Sequence, residues 1–173
     1  MNEIEHNLEI YISKKEIFKR VKEIANEISK LYYDKNPILI GILNGSFIFM
    51  SDLIRQLSID CEVDFIKIHS YLGKESTGVI NMSKGLDVDI ENRNVIIVED
   101  IIDTGKSISH LYDYISNFNP KDIAVISLLA KKRISKLNFN IDFIGFEISS
   151  EFVVGYGLDY NQKLRNLKSI HKL

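Results

Sequence analysis

The stretch VIIVEDIIDTGKS, residues 95–107, decides the fold of this chain and indicates its chemistry. It begins with four consecutive apolar residues, 95–98, which are typical of a parallel strand buried on both faces. Two adjacent acids, Glu99 and Asp100, follow at the predicted end of that strand. Such acids need a partner, which the hydroxyls of a vicinal diol or a divalent cation would supply. The alternative interpretation is that the two carboxylates only solvate a strand end.

The second half of the stretch is typical of a helix start that binds phosphate. Its residues are Asp103, Thr104, Gly105, Lys106 and Ser107. Gly105 allows the backbone to approach an anion closely, and the unpaired N–H groups of a first helical turn favour a phosphate. The hydroxyls of Thr104 and Ser107 add donors. Alternatively, Asp103 or Thr104 is the N-cap of an ordinary helix.

Together the two halves favour a sugar phosphate as the ligand. Acids suited to a diol lie three to four residues before a phosphate cradle, which matches the reach of a ribose 5-phosphate lying across a strand end. The sequence contains neither the G-x-x-x-x-G-K-[ST] loop of nucleoside triphosphatases nor the G-x-G-x-x-G loop of dinucleotide-binding proteins. A generic dinucleotide-binding protein is therefore disfavoured.

The rest of the chain predicts strands that alternate with helices. The helices are expected at about 14–33, behind an S-x-x-E capping box, and at 47–57 and 104–118; the strands are expected at 38–43, 63–68, 95–98, 123–130 and 143–146. A polar, glycine-bearing segment at 71–81 is a candidate mobile loop. This alternation predicts an α/β fold with a mostly parallel sheet covered on both faces. Ligands of such sheets bind at the carboxyl ends of the strands.

Length and composition narrow the class of protein. At 173 residues the chain is expected to form a single domain, and 45% hydrophobic with 27% charged residues is ordinary for a globular protein. A formal net charge of -2 gives no bias toward nucleic acid or an anionic membrane. The single cysteine, Cys61, predicts no intrachain disulfide and fits a reducing compartment, where it most simply serves as a small buried hydrophobe. The acidic start and the absence of a run near the ~20 apolar residues that span a bilayer predict a cytoplasmic protein.

Residues 95–107 resemble the phosphoribosyl pyrophosphate (PRPP) motif of the type I phosphoribosyltransferases. The sequence Glu-Asp-Ile-Ile-Asp-Thr-Gly is similar to that of the hypoxanthine-guanine phosphoribosyltransferases in particular. The resemblance implies the type I fold, a mostly parallel sheet flanked by helices with a small hood built from the N- and C-terminal segments. It implies Mg²⁺-dependent transfer of 5-phosphoribosyl from PRPP to N9 of hypoxanthine or guanine, giving IMP or GMP and pyrophosphate. It also implies a homodimer or homotetramer.

Two further loops carry the resemblance. Residues 38–54 resemble the first pyrophosphate loop of the family, where a Leu–Lys–Gly turn has a non-proline cis peptide and offers backbone N–H groups to pyrophosphate. Here Asn44 replaces the lysine before Gly45, and the pair is otherwise a plain Asn-Gly turn. Ser70 and Tyr71, with the following 76–78, resemble the lid that closes over the site; an ordinary surface loop is the alternative.

The remaining site residues are implied by resemblance alone. The implied purine-binding residues are Lys131, Phe152, Val153 and Asp159, the implied metal ligands are Glu99, Asp100 and Asp159, and Arg165 is expected to reach the pyrophosphate. Lys131 would donate to a purine O6, which favours 6-oxopurines, because adenine presents an amino donor there. Phe152 would stack on the base and Val153 would offer its backbone to the base edge. Read without the resemblance, Phe152 and the two valines are core, and Tyr156 and Tyr160 form a packed aromatic cluster.

The resemblance also implies a mechanism. Asp103 is the expected general acid–base group for purine N7, and Glu99 and Asp100 are expected to hold the ribose hydroxyls and the metal. The full set of expected PRPP-binding residues is Asn44, Gly45, Glu99, Asp100, Asp103, Thr104, Gly105, Lys106, Ser107 and Arg165.

Rival functions stay open at this point. One rival is a related transferase for xanthine, orotate or adenine, which Lys131 and the segment 151–165 disfavour. The other is a PRPP-binding regulator without catalysis, including RNA-binding regulators of pyrimidine genes, which the length and the net charge of -2 disfavour.

Overall fold

A computed structural model of the chain describes residues 8–69, 81–132, 134 and 137–173. In these ranges no helix is both long enough and apolar enough to cross a bilayer. The interpretations of Ser70, Tyr71 and 76–78 as a lid lie outside the described residues.

Twelve elements follow one another along the described chain. They are β1 Glu9–Ile12, α1 Lys14–Leu31, β2 Ile38–Leu43, α2 Phe47–Ile54, β3 Glu62–His69, β4 Asn81–Lys84, β5 Asn94–Ile102, α3 Lys106–Ser116, β6 Asp122–Lys131, β7 Phe143–Ile148, β8 Val153–Val154 and β9 Ile170–Lys172. A six-stranded sheet has the order β4-β3-β2-β5-β6-β7, and all of its pairs are parallel except that of the edge strand β4. The predicted α/β class with a mostly parallel sheet is therefore confirmed.

Apolar residues cover both faces of this sheet. On β5, Ile96 and Val98 join a core shared with α1 and α2, whereas Val95 and Ile97 join a second core shared with α3. All four of these β5 side chains are fully buried, as the apolar run predicted. Cys61 is half-buried against the first core, and burial raises the pKa of its thiol.

The chain ends form a second, smaller sheet. β9 lies between β1 and β8 and is antiparallel to both, so the N- and C-terminal segments build the hood that the resemblance implied. The backbone N–H of Leu173 extends this pairing by donating to the carbonyl of Phe152, with an N–O distance of 3.1 Å. The segment that follows β7 is thereby fixed by the end of the chain.

The predicted helix α1 begins as the sequence indicates. Ser13 Oγ accepts a hydrogen bond from the Glu16 N–H, and the Glu16 carboxylate accepts one from the Ser13 N–H, which is the predicted capping box. The other two helices are shorter than predicted. α2 ends at Ile54 rather than near residue 57, and α3 is shorter at both ends than the predicted 104–118.

The predicted end of the central strand at residue 98 was also wrong. β5 continues to Ile102 because β6 pairs with it as far as Ile102 opposite Ala130. Glu99 and Asp100 therefore lie inside the hydrogen-bonded ladder and not beyond it. The carboxyl ends of β2, β5 and β6 are neighbours at one edge of the sheet, where the loops after residues 43, 102 and 131 begin.

Candidate active site

The acidic pair is buried near the carboxyl end of β5. Glu99 and Asp100 are each only 8% exposed, so the alternative that they solvate a strand end is wrong. The N–H of Asp100 donates to Glu99 Oε1 at 3.2 Å, and the N–H of Ile101 donates to Asp100 Oδ1 at 2.9 Å. Burial, together with the neighbouring Asp100 carboxyl group, raises the pKa of Glu99 well above its ordinary value. The pair is therefore arranged to take up a proton or another cation.

The loop after β5 leads directly into α3. Gly105 occupies the N-cap position with φ of 87°, and this residue has no side chain that could accept a capping hydrogen bond. The alternative that Asp103 or Thr104 is an ordinary N-cap is therefore wrong. A Cβ at position 105 would lie 2.9 Å from Leu137 Cδ2, so the absence of a side chain permits both the left-handed backbone and the close approach of the Ile134 and Leu137 side chains. The first-turn N–H groups of α3 carry the partial positive charge that attracts anions.

Asp103 and Lys131 meet at the ends of β5 and β6. Lys131 Nζ lies 3.3 Å from Asp103 Oδ2, with 8% of the Lys131 side chain and 42% of the Asp103 side chain exposed. Sequence patterns placed the two residues on different strand ends without indicating that they touch. The structure brings a buried ammonium group and a half-exposed carboxylate together at the same edge of the sheet.

The loop after β2 lies against the acidic pair. The Leu43–Asn44 peptide is cis, as the resemblance implied. A Cβ on Gly45 would overlap the Asp100 carboxylate, which makes glycine necessary there. The side chain of Asn44 is exposed.

The segment that follows β7 contains both exposed and buried apolar side chains. Phe152 is 53% exposed, so its assignment to the core was wrong, whereas Val153 and Val154 are buried as that assignment predicted. The rings of Phe152 and Tyr160 meet edge to face with centroids 6.0 Å apart. An exposed aromatic face held by the hood is suited to stack on a flat ligand.

Asp159 and Arg165 form an ion pair close to the first loop. Arg165 Nη2 lies 2.7 Å from Asp159 Oδ1, and Arg165 Nη1 donates to the carbonyl of Gly157 at 2.7 Å. A Cβ on Gly157 would overlap the carbonyl oxygen of Gly45. The turn that carries this ion pair is therefore packed on the loop that covers Asp100.

Sequence reasoning missed one contact of this turn. Tyr156 was assigned only to an aromatic cluster, but its hydroxyl donates to Asp52 Oδ2 on α2 at 2.7 Å. The two residues are 104 positions apart, and no local pattern connects them.

The oxygen donors of the site fit a magnesium ion that is completed by a substrate. Among the described residues no cluster of three or more His, Cys, Asp or Glu side chains could hold a metal by itself. Mg²⁺ is commonly held by one or two carboxylates together with substrate phosphates, so a complete protein cage is not required. The buried carboxyl pair Glu99–Asp100 is a donor set of this kind.

Comparison with known proteins gives a consistent result. Residues 7–161 match the family model described as "Phosphoribosyl transferase domain". The chain is 46% identical to a hypoxanthine phosphoribosyltransferase of Buchnera aphidicola over 173 residues, covering 98% of each chain, and 41% identical to that of Escherichia coli K12, covering 98% of this chain and 97% of the relative. It also resembles crystal structures of a hypoxanthine-guanine phosphoribosyltransferase from Bacillus anthracis (38% identity, TM-score 0.90, covering 95% and 98% of the two chains) and of a hypoxanthine phosphoribosyltransferase from Staphylococcus aureus (37%, TM-score 0.92, covering 100% and 96%).

Proposed function

The chain belongs to the phosphoribosyltransferase family, and from that premise we propose that it transfers the 5-phosphoribosyl group of PRPP to N9 of hypoxanthine or guanine. The products are IMP or GMP and pyrophosphate, so the enzyme serves purine salvage. The observation that carries the proposal is the contact of Lys131 Nζ with Asp103 Oδ2 at 3.3 Å, beside the loop at 103–105. A 6-oxopurine presents O6 and N7 on the same edge, and this pair offers a donor for O6 next to an acid–base group for N7.

The purine is held between three elements. Lys131 donates to O6, the exposed ring of Phe152 stacks on the base, and the backbone of Val153 faces the base edge. Asp159 borders the purine on the side of the 155–165 segment. Adenine is rejected because its amino group meets the ammonium of Lys131, a donor against a donor.

The ribose 5-phosphate spans the carboxyl end of β5. Glu99 and Asp100 accept hydrogen bonds from the ribose hydroxyls, and the backbone N–H groups and side chains of residues 104–107 bind the 5′-phosphate. These contacts fix the anomeric carbon relative to the base, which lowers the entropic part of the barrier. Thr104 and Lys106 are exposed and Ser107 is half-buried, so these side chains are accessible to a phosphate.

Pyrophosphate leaves from the face of the ribose opposite to the purine. Backbone N–H groups at Asn44 and Gly45 and the guanidinium of Arg165 bind it, and Glu99, Asp100 and Asp159 would hold Mg²⁺. The metal, when bound, neutralises charge on the departing pyrophosphate. As positive charge develops on the ribosyl carbon, N9 attacks with inversion and Asp103 exchanges a proton with N7.

The wider setting completes the proposal. The chain acts as a single domain over residues 1–173, in the cytoplasm, as a homodimer or homotetramer without a nucleic-acid partner. The net charge of -2 supports the absence of a nucleic-acid partner, and the single cysteine supports a reducing compartment.

The direct test is to incubate the purified protein with PRPP, Mg²⁺ and each of hypoxanthine, guanine, xanthine and adenine. Nucleotide formation is followed by ultraviolet absorbance. We expect product with hypoxanthine or guanine and none with adenine. A protein that binds PRPP but forms no nucleotide with any base would contradict the proposal and indicate a regulator of the same fold.

The role of Asp103 has a separate test. Replacing it with Asn keeps the size of the side chain but removes its ability to accept and return a proton. We expect kcat to fall by ~10²–10⁴-fold, the range for a general acid–base group. An Asp103→Asn enzyme with unchanged kcat would remove Asp103 from this role.

A further inference from the structure

We propose that Tyr156 and Asp52 are positioning residues for the pyrophosphate side of the site. Their hydrogen bond fixes the turn at 155–157 against α2 and the loop that precedes it. This inference rests on the proposed function, because it concerns the binding of PRPP by the same site.

The contact is a buried hydrogen bond between distant parts of the chain. Tyr156 is 6% exposed, and its hydroxyl donates to Asp52 Oδ2 at 2.7 Å. Burial and the Asp52 carboxylate raise the pKa of Tyr156 above its ordinary value, so the hydroxyl keeps its proton near neutral pH. Asp52 also forms an ion pair with Arg55, the C-cap residue of α2, which orients the acceptor.

The backbone of the turn directs the tyrosine side chain into this contact. Gly155, Tyr156 and Gly157 have φ angles of 96°, 50° and 102°, three consecutive left-handed residues. A tyrosine rarely adopts this conformation, so the surrounding contacts must hold it. The N–H groups of Tyr156 and Gly157 donate to the carbonyls of Leu167 and Arg165 at 2.8 and 3.0 Å, which anchors the turn to the returning chain.

A second contact joins the same two parts of the molecule. Gly157 lies directly on the carbonyl of Gly45, and Gly45 lies on the carboxylate of Asp100. The helix α2, which carries Asp52, begins at Phe47, two residues after Gly45. The Tyr156 hydrogen bond and the glycine contact therefore hold the turn to one continuous unit, the loop at 43–46 together with α2.

The turn at 155–157 also positions the charged groups that would bind pyrophosphate. Arg165 is bonded to the Gly157 carbonyl and paired with Asp159, so both side chains follow any displacement of the turn. Val153 and Val154, on the purine side, are held separately by pairing with β9. Loss of the Tyr156 contact should therefore weaken PRPP binding more than purine binding, because Phe152 and Val153 do not follow the turn and only Asp159 of the proposed purine-binding residues does.

The chain offers a matched control for this test. Tyr32 is also a buried tyrosine, 5% exposed, whose hydroxyl donates to an aspartate, Asp122 Oδ2, at 3.2 Å. Asp122 is the first residue of β6 and lies at the opposite end of the strand from Lys131. Tyr32→Phe thus removes a similar hydrogen bond far from the proposed site.

We expect Tyr156→Phe to raise the KM for PRPP about tenfold, the size of effect for one lost hydrogen bond to a charged group. The KM for hypoxanthine should rise less than the KM for PRPP, and kcat should stay within about twofold of the wild-type value because no group that touches the reacting atoms is altered. Tyr32→Phe should leave all three constants unchanged. Asp52→Asn, which keeps an oxygen acceptor, should bind PRPP better than Asp52→Ala, and adding Tyr156→Phe to Asp52→Ala should have no further effect.

The outcomes separate this inference from the proposed function. Nucleotide formation by the wild-type protein is measured first, so its absence counts against the function. Titration with magnesium pyrophosphate by calorimetry then compares the variants without requiring activity. Equal affinities of wild type, Tyr156→Phe and Asp52→Ala, or equal losses in Tyr156→Phe and Tyr32→Phe, would overturn the positioning role.

Discussion

Glu99 is buried beside a second carboxyl group, and this arrangement destabilises the fold whenever no cation neutralises the pair. Its folded-state pKa lies above the unfolded value of ~4.3, so the folded chain binds the proton more tightly. The associated stability is present below the unfolded pKa and is lost as the pH rises through the folded pKa. The residue is thus more suitable for binding a cation and a diol than for stabilising the fold.

Glu99→Gln should therefore make the protein more stable and less active. At pH 8 we expect the free energy of unfolding to rise by about 1 kcal/mol, or ~2–4 °C in Tm for a chain of this size, and the difference from wild type should shrink toward pH 4. The KM for PRPP should rise about tenfold, because a charged acceptor is lost. Thermal melts over this pH range and steady-state kinetics measure both effects. The exposed Glu91, changed to Gln, should alter neither, and a destabilised Glu99→Gln protein would contradict the argument.

Asn44 is the position at which the pyrophosphate loop departs from the family pattern. Its side chain is exposed beside Gly45, so a lysine could be accommodated without burying a charge. We expect Asn44→Lys to lower the KM for PRPP by up to about fivefold, the range of an exposed ion pair, and to make that KM more sensitive to salt. Asn44→Gln is the neutral control and should behave as wild type. An unchanged KM in Asn44→Lys would mean that the loop acts through its backbone alone.

At the scale of elements, local sequence patterns predicted the longer helices and strands, whose apolar residues recur at regular spacing. The capping box and apolar spacing predicted α1, and the apolar runs predicted β2 and the core of β5. β1, β8 and β9 were not predicted as strands, because they have only two to four residues each. Their pairing joins the chain ends, so it depends on distant register and not on local periodicity. For the same reason local patterns could not predict that Phe152 is exposed. Its position depends on the hood, where the Phe152 carbonyl accepts a hydrogen bond from the N–H of Leu173.

The hood can be tested through its central strand. Ile170, on β9, is fully buried, whereas Leu173 at the end of the chain is 50% exposed. We expect Ile170→Ala to lower the free energy of unfolding by ~2–5 kcal/mol, the usual range for a buried Ile→Ala change. Because β9 pairs with Val153 and Val154, the KM for hypoxanthine should rise more than the KM for PRPP. Leu173→Ala keeps its backbone donor and should have little effect; a larger rise for PRPP would contradict this placement of the purine.

At the scale of the whole molecule, residues from three strand ends and from the C-terminal segment lie together at one edge of the sheet. Parallel pairing of β2, β5 and β6 brings the loop at 43–46, Asp103 and Lys131 to that edge, as the alternation of strands and helices predicted. The sequence could not predict the contacts between these loops. Gly157 against Gly45 and Lys131 against Asp103 each join residues that only the packed molecule brings together.

A ligand that bridges these loops should stabilise the molecule as a whole. PRPP with Mg²⁺, at a concentration of 100 times its Kd, should add about 2.7 kcal/mol to the free energy of unfolding. This corresponds to a rise of roughly 5–11 °C in Tm for a chain of this size. The same concentration of PRPP in the presence of EDTA should give a clearly smaller rise, because the carboxyl pair then faces the pyrophosphate without a metal. Thermal denaturation with ribose 5-phosphate and magnesium serves as the control, since this ligand lacks the pyrophosphate that would join the loop at 43–46 to Arg165. Equal shifts with Mg²⁺ and with EDTA would count against Glu99, Asp100 and Asp159 as metal ligands while leaving the binding of PRPP intact.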